Sequence, residues 1–479
     1  MKKYDVIIIG AGPAGLVTGV TVKKQNSSKS VLIIAEEEKG LIPCGIPYVF
    51  HHLGSVDKDM MGLKPFKDLG GEVIVDPVNE ANIKEKSVSL KSGNIYHYDK
   101  LVFATGSRPV IATFIRGYDM KNVYYIRKSY SYIHRLFEAL KEKKNIVIIG
   151  GGFIGAEVAE QLSLHHDKNI TLIESEKFCF SKAFSEELSK IATEQLEKTA
   201  TNIRTSTLVE EISGNNDGFV NKVILKGGEE IAADAVIISV GYEPNSELAE
   251  KAGLPLNSMG AIKVDSYERT SVKDVSAVGD CSQTIGFLTG RSDQIMLAST
   301  ATAEARVLGY NLFSVKIKKP FSGTLGIFST KINGLAMAAA GIDERSANEA
   351  NIDFLCAKFT DVNRHPGTIP GAAPLTVKLY FSPSDGTVLG GEVWGSDSAG
   401  EIINIIGLII QKSITIYELV SFQIGTHPLL TSAPTKPMII KAAEAAISMI
   451  QITKKASTQV KHGEVNGNAV IQIAENDAT

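Results

Sequence analysis

An α/β fold is predicted for this chain, with two Rossmann-like dinucleotide-binding domains followed by a C-terminal α+β domain. Three observations predict it. Two glycine-rich turns, Gly10-Ala-Gly12-Pro-Ala-Gly15 and Gly150-Gly-Gly152-Phe-Ile-Gly155, each follow a continuous apolar run and precede an amphipathic segment. From about Thr324 the pattern changes to alternating strands and a single amphipathic helix. With 479 residues the chain is also too long for one hydrophobic core.

The first strand is Tyr4 to Gly10, apolar throughout as a buried parallel strand would be. In the turn after it, Gly10 permits the tight bend, Gly12 lets the backbone approach a diphosphate, and Gly15 allows close helix packing. Pro13 and Ala14 complete the loop. The second strand, Val31 to Ala35, leads into Glu36-Glu37-Glu38, of which Glu36 is the expected ribose acceptor, with a register one residue on as the alternative, and at least one of the other two a solvated acidic turn. Next comes Gly40-Leu-Ile-Pro-Cys44-Gly-Ile-Pro-Tyr48, a cysteine at the expected start of a helix that runs on through Ile46 to Phe50. A thiol placed there meets unpaired N–H groups and the positive end of the dipole, so its pKa is expected to fall. Cys44 is the candidate nucleophile, against the alternative of a packed core cysteine.

Glu72 to Leu90 alternates like strands, and Leu101 to Pro109 closes the segment with a strand and a sharp turn that holds Ala104, Thr105, Gly106 and Arg108. The pattern then repeats. Asn145 to Gly150 is a second apolar strand, and Phe153, Ile154 and Glu157 open the helix after the second glycine turn. Glu174 ends the following strand, 19 residues past Gly155, where an acid binds both ribose hydroxyls and repels a 2′-phosphate. NADH is therefore expected over NADPH. Later come Ala235 to Val240 with Gly241, then Val278-Gly279-Asp280, whose carboxylate suits the hydroxyls of a sugar alcohol. A small-residue helix from Met296 to Leu312 follows, with Ala298 near its start. The domains expected are 1–115 with 245–322, then 116–244, then 323–450. Strands Thr376 to Phe381 and Val388 to Val393 and the helix Ala399 to Gln411 belong to the last. The polar stretch 451–479 has little periodicity and is expected to be disordered.

A net charge of −3 offers no basic field for nucleic acid or for an anionic membrane. No run approaches the roughly 18 uncharged apolar residues of a membrane span, and the chain enters a strand at once, so a cytoplasmic protein is expected. The four cysteines show neither CxxC nor CxxxxC spacing, so no metal site and no internal redox disulfide is expected. Cys179, Cys281 and Cys356 are read as structural.

Two glycine fingerprints, the Ala104-Thr105-Gly106 turn and Val278-Gly279-Asp280, in this order, resemble the flavin-dependent pyridine nucleotide-disulfide oxidoreductases over residues 1–450. One cysteine in Cys44-Gly-Ile-Pro-Tyr48 resembles their single-cysteine class: coenzyme A-disulfide reductases, NADH oxidases, NADH peroxidases, and persulfide or polysulfide reductases. The resemblance implies FAD in the first domain, NADH in the second, and a homodimer made by the C-terminal domain. It also implies that Asp280 holds the ribityl chain and that Glu157 sits near the nicotinamide. Some positions depart from the pattern. Pro13 stands where the oxidases and peroxidases carry a histidine, Gly40 and Pro43 stand near the usual Ser and Asn, and Thr368 and Ile369 occupy the usual tyrosine stretch.

Thr426-His427-Pro428 resembles the motif by which two-cysteine relatives send a histidine across the dimer, although Ser432 replaces the acid that follows. Two readings stand for His427: an acid for the partner subunit's leaving thiolate, or a turn residue before proline. Arg364 and His365 are a substrate contact or a surface loop. The expected function is transfer of electrons from NADH through FAD and Cys44 to a small sulfur substrate: a disulfide, coenzyme A disulfide, persulfide or polysulfide. The alternatives are an NADH oxidase that works through a cysteine sulfenic acid, and a redox-sensing or electron-transfer flavoprotein.

Overall fold

The computed structural model describes residues 2–293 and 295–459, with side chains through residue 452. They form two compact units, one of Met1–Lys182 with Thr193–Thr324 and one of Ala183–Ala192 with Leu325 onward.

The first unit is built around two sheets of mainly parallel strands. Strand β1 (Lys2–Ile9) leads into helix α1 (Pro13–Gln25) and strand β2 (Val31–Ala35). β1 pairs in parallel with β2 on one side and with Ile95–Phe103 on the other; Glu72–Val75 adds beyond β2, and Val275–Ala277 pairs with the end of Ile95–Phe103. The continuous apolar runs follow from burial of both faces. Ile7, Ile9, Leu32 and Leu101 pack on one side, while Val6, Ile8, Ile33 and Val102 pack on the other with Val22 and Leu308.

The second sheet repeats the plan. Strand β3 (Asn145–Ile149), helix α2 (Phe153–Ser163) and strand β4 (Asn169–Ile173) succeed one another, and β3 lies between β4 and Ala235–Ile238. Val123–Tyr125 and Thr201–Arg204 are its edges. The small-residue helix, α3, spans Ala298–Asn311, slightly inside the range expected from sequence.

The second unit is an antiparallel five-stranded sheet in the order Phe328–Ile332, Leu335–Gly341, Val388–Gly395, Pro374–Phe381, Leu355–Val362. Helix α4 covers Ala399–Gln411 and buries Ile403, Ile406, Ile409 and Ile410 on one side, leaving Ile405 and Leu408 exposed. The segment Ala183–Ala192 is tied into this unit: Ser185 gives both its N–H (2.7 Å) and its hydroxyl (2.6 Å) to the buried carboxylate of Glu392.

Two sequence expectations are corrected here. The residues after Cys44 form a 3-10 helix, Pro43–Phe50, with Pro47 inside it, and not the start of an α-helix. The last helix, Met438–Gln459, runs past position 451, where disorder was expected, because Ala442, Ala443, Ala446, Met449 and Ile450 give it a buried face from which the helix propagates. Residues 460–479 lie outside the described residues. Among the described residues no helix is long and apolar enough to cross a membrane.

Candidate active site

The two glycine loops have nearly the same backbone. Gly12 caps α1 with φ −71° and ψ −175°, and Gly152 caps α2 with φ −73° and ψ −172°. Neither helix has a side-chain cap or an acidic residue in its first turn, which leaves the N-terminal N–H groups and the dipole for an anion. The first glycine of each loop has positive φ, +112° at Gly10 and +106° at Gly150, and a Cβ there would stand 2.1 Å from the carbonyl oxygen of Ala104 or 2.3 Å from that of Ser239. At Gly15 and Gly155 a Cβ would meet the carbonyl oxygen of Gly10 at 2.0 Å and that of Gly150 at 1.9 Å. The middle glycines differ: nothing stands within 4 Å of a Cβ on Gly12 or Gly152. Each loop is thus closed by its outer glycines and open at its centre, the shape that admits a diphosphate. These residues fit the diphosphate of a dinucleotide in each loop.

The acidic positions sort by their partners. Glu37 is taken up by the fold, its carboxylate accepting the hydroxyls of Ser129 (2.7 Å) and Ser131 (2.5 Å), and these bonds lower its pKa against the effect of burial. Glu36 is exposed at the end of β2. Glu174, at the end of β4, accepts from the N–H of Gly151 at 2.5 Å and from that of Glu176 at 2.8 Å, which places its carboxylate against the second glycine loop.

Asp280 follows the strand Val275–Ala277 in a 3-10 turn that begins at Gly279, where φ is +77° and a Cβ would come within 2.9 Å of the Ala14 side chain. Its Oδ2 accepts from the Lys128 ammonium and from the Ser107 hydroxyl, each at 2.7 Å. Thr105 donates to the carbonyl of Asn245 at 2.5 Å, and Asn245 N–H returns a bond to Gly106 at 2.9 Å. Gly241, with φ +122°, precedes the short strand Tyr242–Pro244, which pairs with Ser107–Pro109. Arg108 bridges the same pairing outward, to Glu243 at 2.7 Å and Glu247 at 2.6 Å. Ala298 begins α3, and Phe153 and Ile154 begin α2.

Cys44 is exposed as a residue although protein atoms surround much of its thiol, and all four cysteines are free thiols. The expected fall in its pKa is not found. Burial raises it first and the Glu157 carboxylate second; Lys128 pulls it down, while Asp280 and Asp59 add to the rise. Partial enclosure of the thiol is the first cause; beyond it, a proline-interrupted 3-10 helix is a poor source of aligned dipoles, and three carboxylates face one ammonium. Sequence reasoning missed Tyr48, four residues after Cys44, whose hydroxyl pKa is raised by burial and by a hydrogen-bonded Glu157. The four-residue spacing was its only signal. Lys128 and Ser107 carried none, since their partner Asp280 is far away in sequence.

His427 belongs to the second unit and is exposed. Its Nδ1 accepts the N–H of Leu429 at 3.2 Å, and its own N–H goes to the Thr431 hydroxyl at 3.0 Å. His365 braces this loop through its N–H to the Pro428 carbonyl (3.2 Å) and a ring nitrogen 3.0 Å from the Thr431 carbonyl oxygen. Arg364 donates to the Pro370 carbonyl at 2.9 Å.

Residues 4–305 match the model of the pyridine nucleotide-disulphide oxidoreductase family, and residues 327–438 match that family's dimerisation domain. The chain is 29% identical over 451 residues, 92% of its length and 98% of the relative's, to an NADH oxidase of Methanocaldococcus jannaschii. It is 32% identical over 409 residues to an NAD(P)H coenzyme A polysulfide/persulfide reductase of Pyrococcus horikoshii, covering 83% of this chain and 88% of the relative. Among solved structures it is similar to an NAD-dependent persulfide reductase from A. fulgidus, with a TM-score of 0.85, 28% identity, and coverage of 93% of this chain and 83% of the other.

Proposed function

The chain belongs to the pyridine nucleotide-disulphide oxidoreductases, and from that premise we propose that it carries electrons from NADH through FAD and Cys44 to a small sulfur substrate. The observation that carries this reading is the setting of Cys44: a lone exposed thiol among Glu157, Asp280 and Lys128, the residues that also line the two nucleotide loops or the turn between them. When bound, FAD supplies hydride acceptance from the nicotinamide and delivery of two electrons to sulfur. The chain's own part is binding and proton control. The first loop and Asp280 hold the flavin nucleotide, the second loop and Glu174 hold NADH, and Glu157 with Tyr48 closes the sulfur side.

Cys44 attacks the sulfur–sulfur bond of the substrate as its thiolate, forming a mixed disulfide or persulfide and releasing a thiolate that takes up a proton. Because the protein holds Cys44 as a thiol, the attack needs a base and the departure needs an acid; His427 of the partner subunit serves as both. The homodimer this requires is supported by the dimerisation-domain match and by apolar side chains left exposed on the second unit, Leu408, Phe422, Ile424 and Leu430 among them. Four free thiols suit a reducing compartment such as the cytoplasm.

Steady-state rates with coenzyme A disulfide, polysulfide and oxygen, measured side by side, test the acceptor. A sulfur compound is expected to turn over faster than oxygen by about tenfold or more, since Pro13 offers no proton beside the first loop for peroxide chemistry. A faster rate with oxygen would overturn the sulfur reading and support an NADH oxidase, as some relatives are named. The nucleotide is tested by kcat/KM. NADH is expected to exceed NADPH by about tenfold or more, because the Glu174 carboxylate, held against Gly151, repels a 2′-phosphate.

A further inference from the structure

Asp59 has no place in the chemistry described so far, yet its side chain lies directly under the turn that carries the sulfur. Ile42 N–H donates to its carbonyl at 3.0 Å, and Gly40 and Leu41 pair with Met61 and Met60, so this short strand pair brings position 59 to the start of the cysteine helix. The side chain ends against Gly45. A Cβ built on that glycine would stand 1.8 Å from Asp59 Oδ1, so no larger residue fits after Cys44 while Asp59 keeps its place. Asp59 is 2% exposed, and its Oδ2 has no hydrogen-bond partner. A buried polar atom without a partner is costly, and far more so when charged.

We propose that Asp59 is a positioning residue for Cys44: its buried carboxyl group fills the gap left by Gly45 and seats the turn that carries the sulfur, so that the reactivity of Cys44 follows the protonation of Asp59 as well as its own. The inference rests on Cys44 being the reacting sulfur. The charges nearby agree with it. Asp57 is already bound by Lys39 and Tyr130, each at 2.8 Å, and burial alone acts on Asp59, raising its pKa to about 6. Around the sulfur, Glu157, Asp280 and Asp59 oppose the thiolate and Lys128 favours it, with Tyr48 adjoining on the same helix. A carboxyl raised in the folded state stabilises the fold below its ordinary pKa and loses that contribution as pH rises through about 6. Over that rise an unpartnered negative charge appears beneath the turn and pushes the sulfur toward its thiol form.

The test is the alkylation rate of Cys44 by iodoacetamide between pH 5 and pH 10 in the FAD-loaded protein, read by mass spectrometry of the peptide that contains it. The wild type is expected to show a shoulder near pH 6, where the ionising Asp59 checks the growth of the thiolate, and then the thiol's own ionisation. Asp59→Asn should give a single ionisation at lower pH, with alkylation at pH 7.5 about threefold faster. Gly45→Ala, which displaces the carboxyl, should lose the shoulder although Asp59 is still present. A shoulder that persists in either variant overturns the proposal. Because alkylation needs no substrate, the outcome is independent of which acceptor the enzyme uses.

Discussion

Cys44→Ser is expected to reduce turnover with any disulfide or persulfide by at least about 10³-fold while flavin bleaching by NADH stays within about twofold of the wild type. The two half-reactions separate because only the second forms a bond to the Cys44 sulfur. Hydride delivery depends on the two glycine loops, whose outer glycines are locked by backbone carbonyls 1.9 to 2.3 Å from any added Cβ, and exchanging Sγ for Oγ at position 44 leaves those backbone contacts in place. The sulfur half-reaction has no substitute for Cys44. Cys179 and Cys281 are buried, with pKa values raised by burial, to about 12 at Cys179. Cys356 lies in the second unit, on the strand Leu355–Val362. Serine cannot form the mixed disulfide, so a base that serves the thiol cannot restore the reaction. Rapid mixing checks this by following bleaching with NADH and then recovery with substrate. Unchanged turnover with every acceptor would remove the thiol mechanism and favour an electron-transfer flavoprotein.

Much of this architecture could be read from local spacing, because the glycine loops are local devices. Gly10, Gly12 and Gly15 act on one another and on Ala104 across a single strand–turn–helix, so the motif contains its own geometry. The same holds for helix α4, whose apolar spacing predicted its bounds. The electrostatics of the sulfur could not be read in this way. Whether Cys44 is acidic depends on Glu157, Lys128, Asp280 and Asp59, which come from four separated segments, and on a proline that makes the helix 3-10. Asp59 is the sharpest instance: as a sequence position it is one carboxylate in the acidic, lysine-containing stretch Asp57-Lys58-Asp59, and only packing shows that it is buried against Gly45. The last helix failed in the opposite sense. Its polar end reads as a tail, but a buried alanine-rich face upstream carries the backbone onward to Gln459.

His427→Gln is expected to slow the sulfur half-reaction by at least about tenfold, within the roughly 10²- to 10⁴-fold that general acid–base catalysis contributes, with part of the loss made good by water. Burial and the nearby carboxylates raise the Cys44 pKa, so each turnover must remove a proton from it and return one to the departing sulfur. An imidazole does both. At His427 the Nδ1 of the neutral ring accepts the Leu429 N–H, so proton exchange at Nε2 requires that loop bond to open and Nδ1 to carry the second proton. Glutamine keeps an acceptor and a donor but cannot take a proton, so a purely structural role would show no loss. Flavin bleaching should be unchanged, since no proton from this residue enters that step. Sedimentation should show twice the chain mass, and a stable active monomer would remove the partner's His427 from the site. Co-expression of Cys44→Ser with His427→Gln decides the direction of reach: if the histidine serves the partner's sulfur, heterodimers hold one intact site and recover about half of the wild-type rate, whereas action within one chain leaves both sites broken.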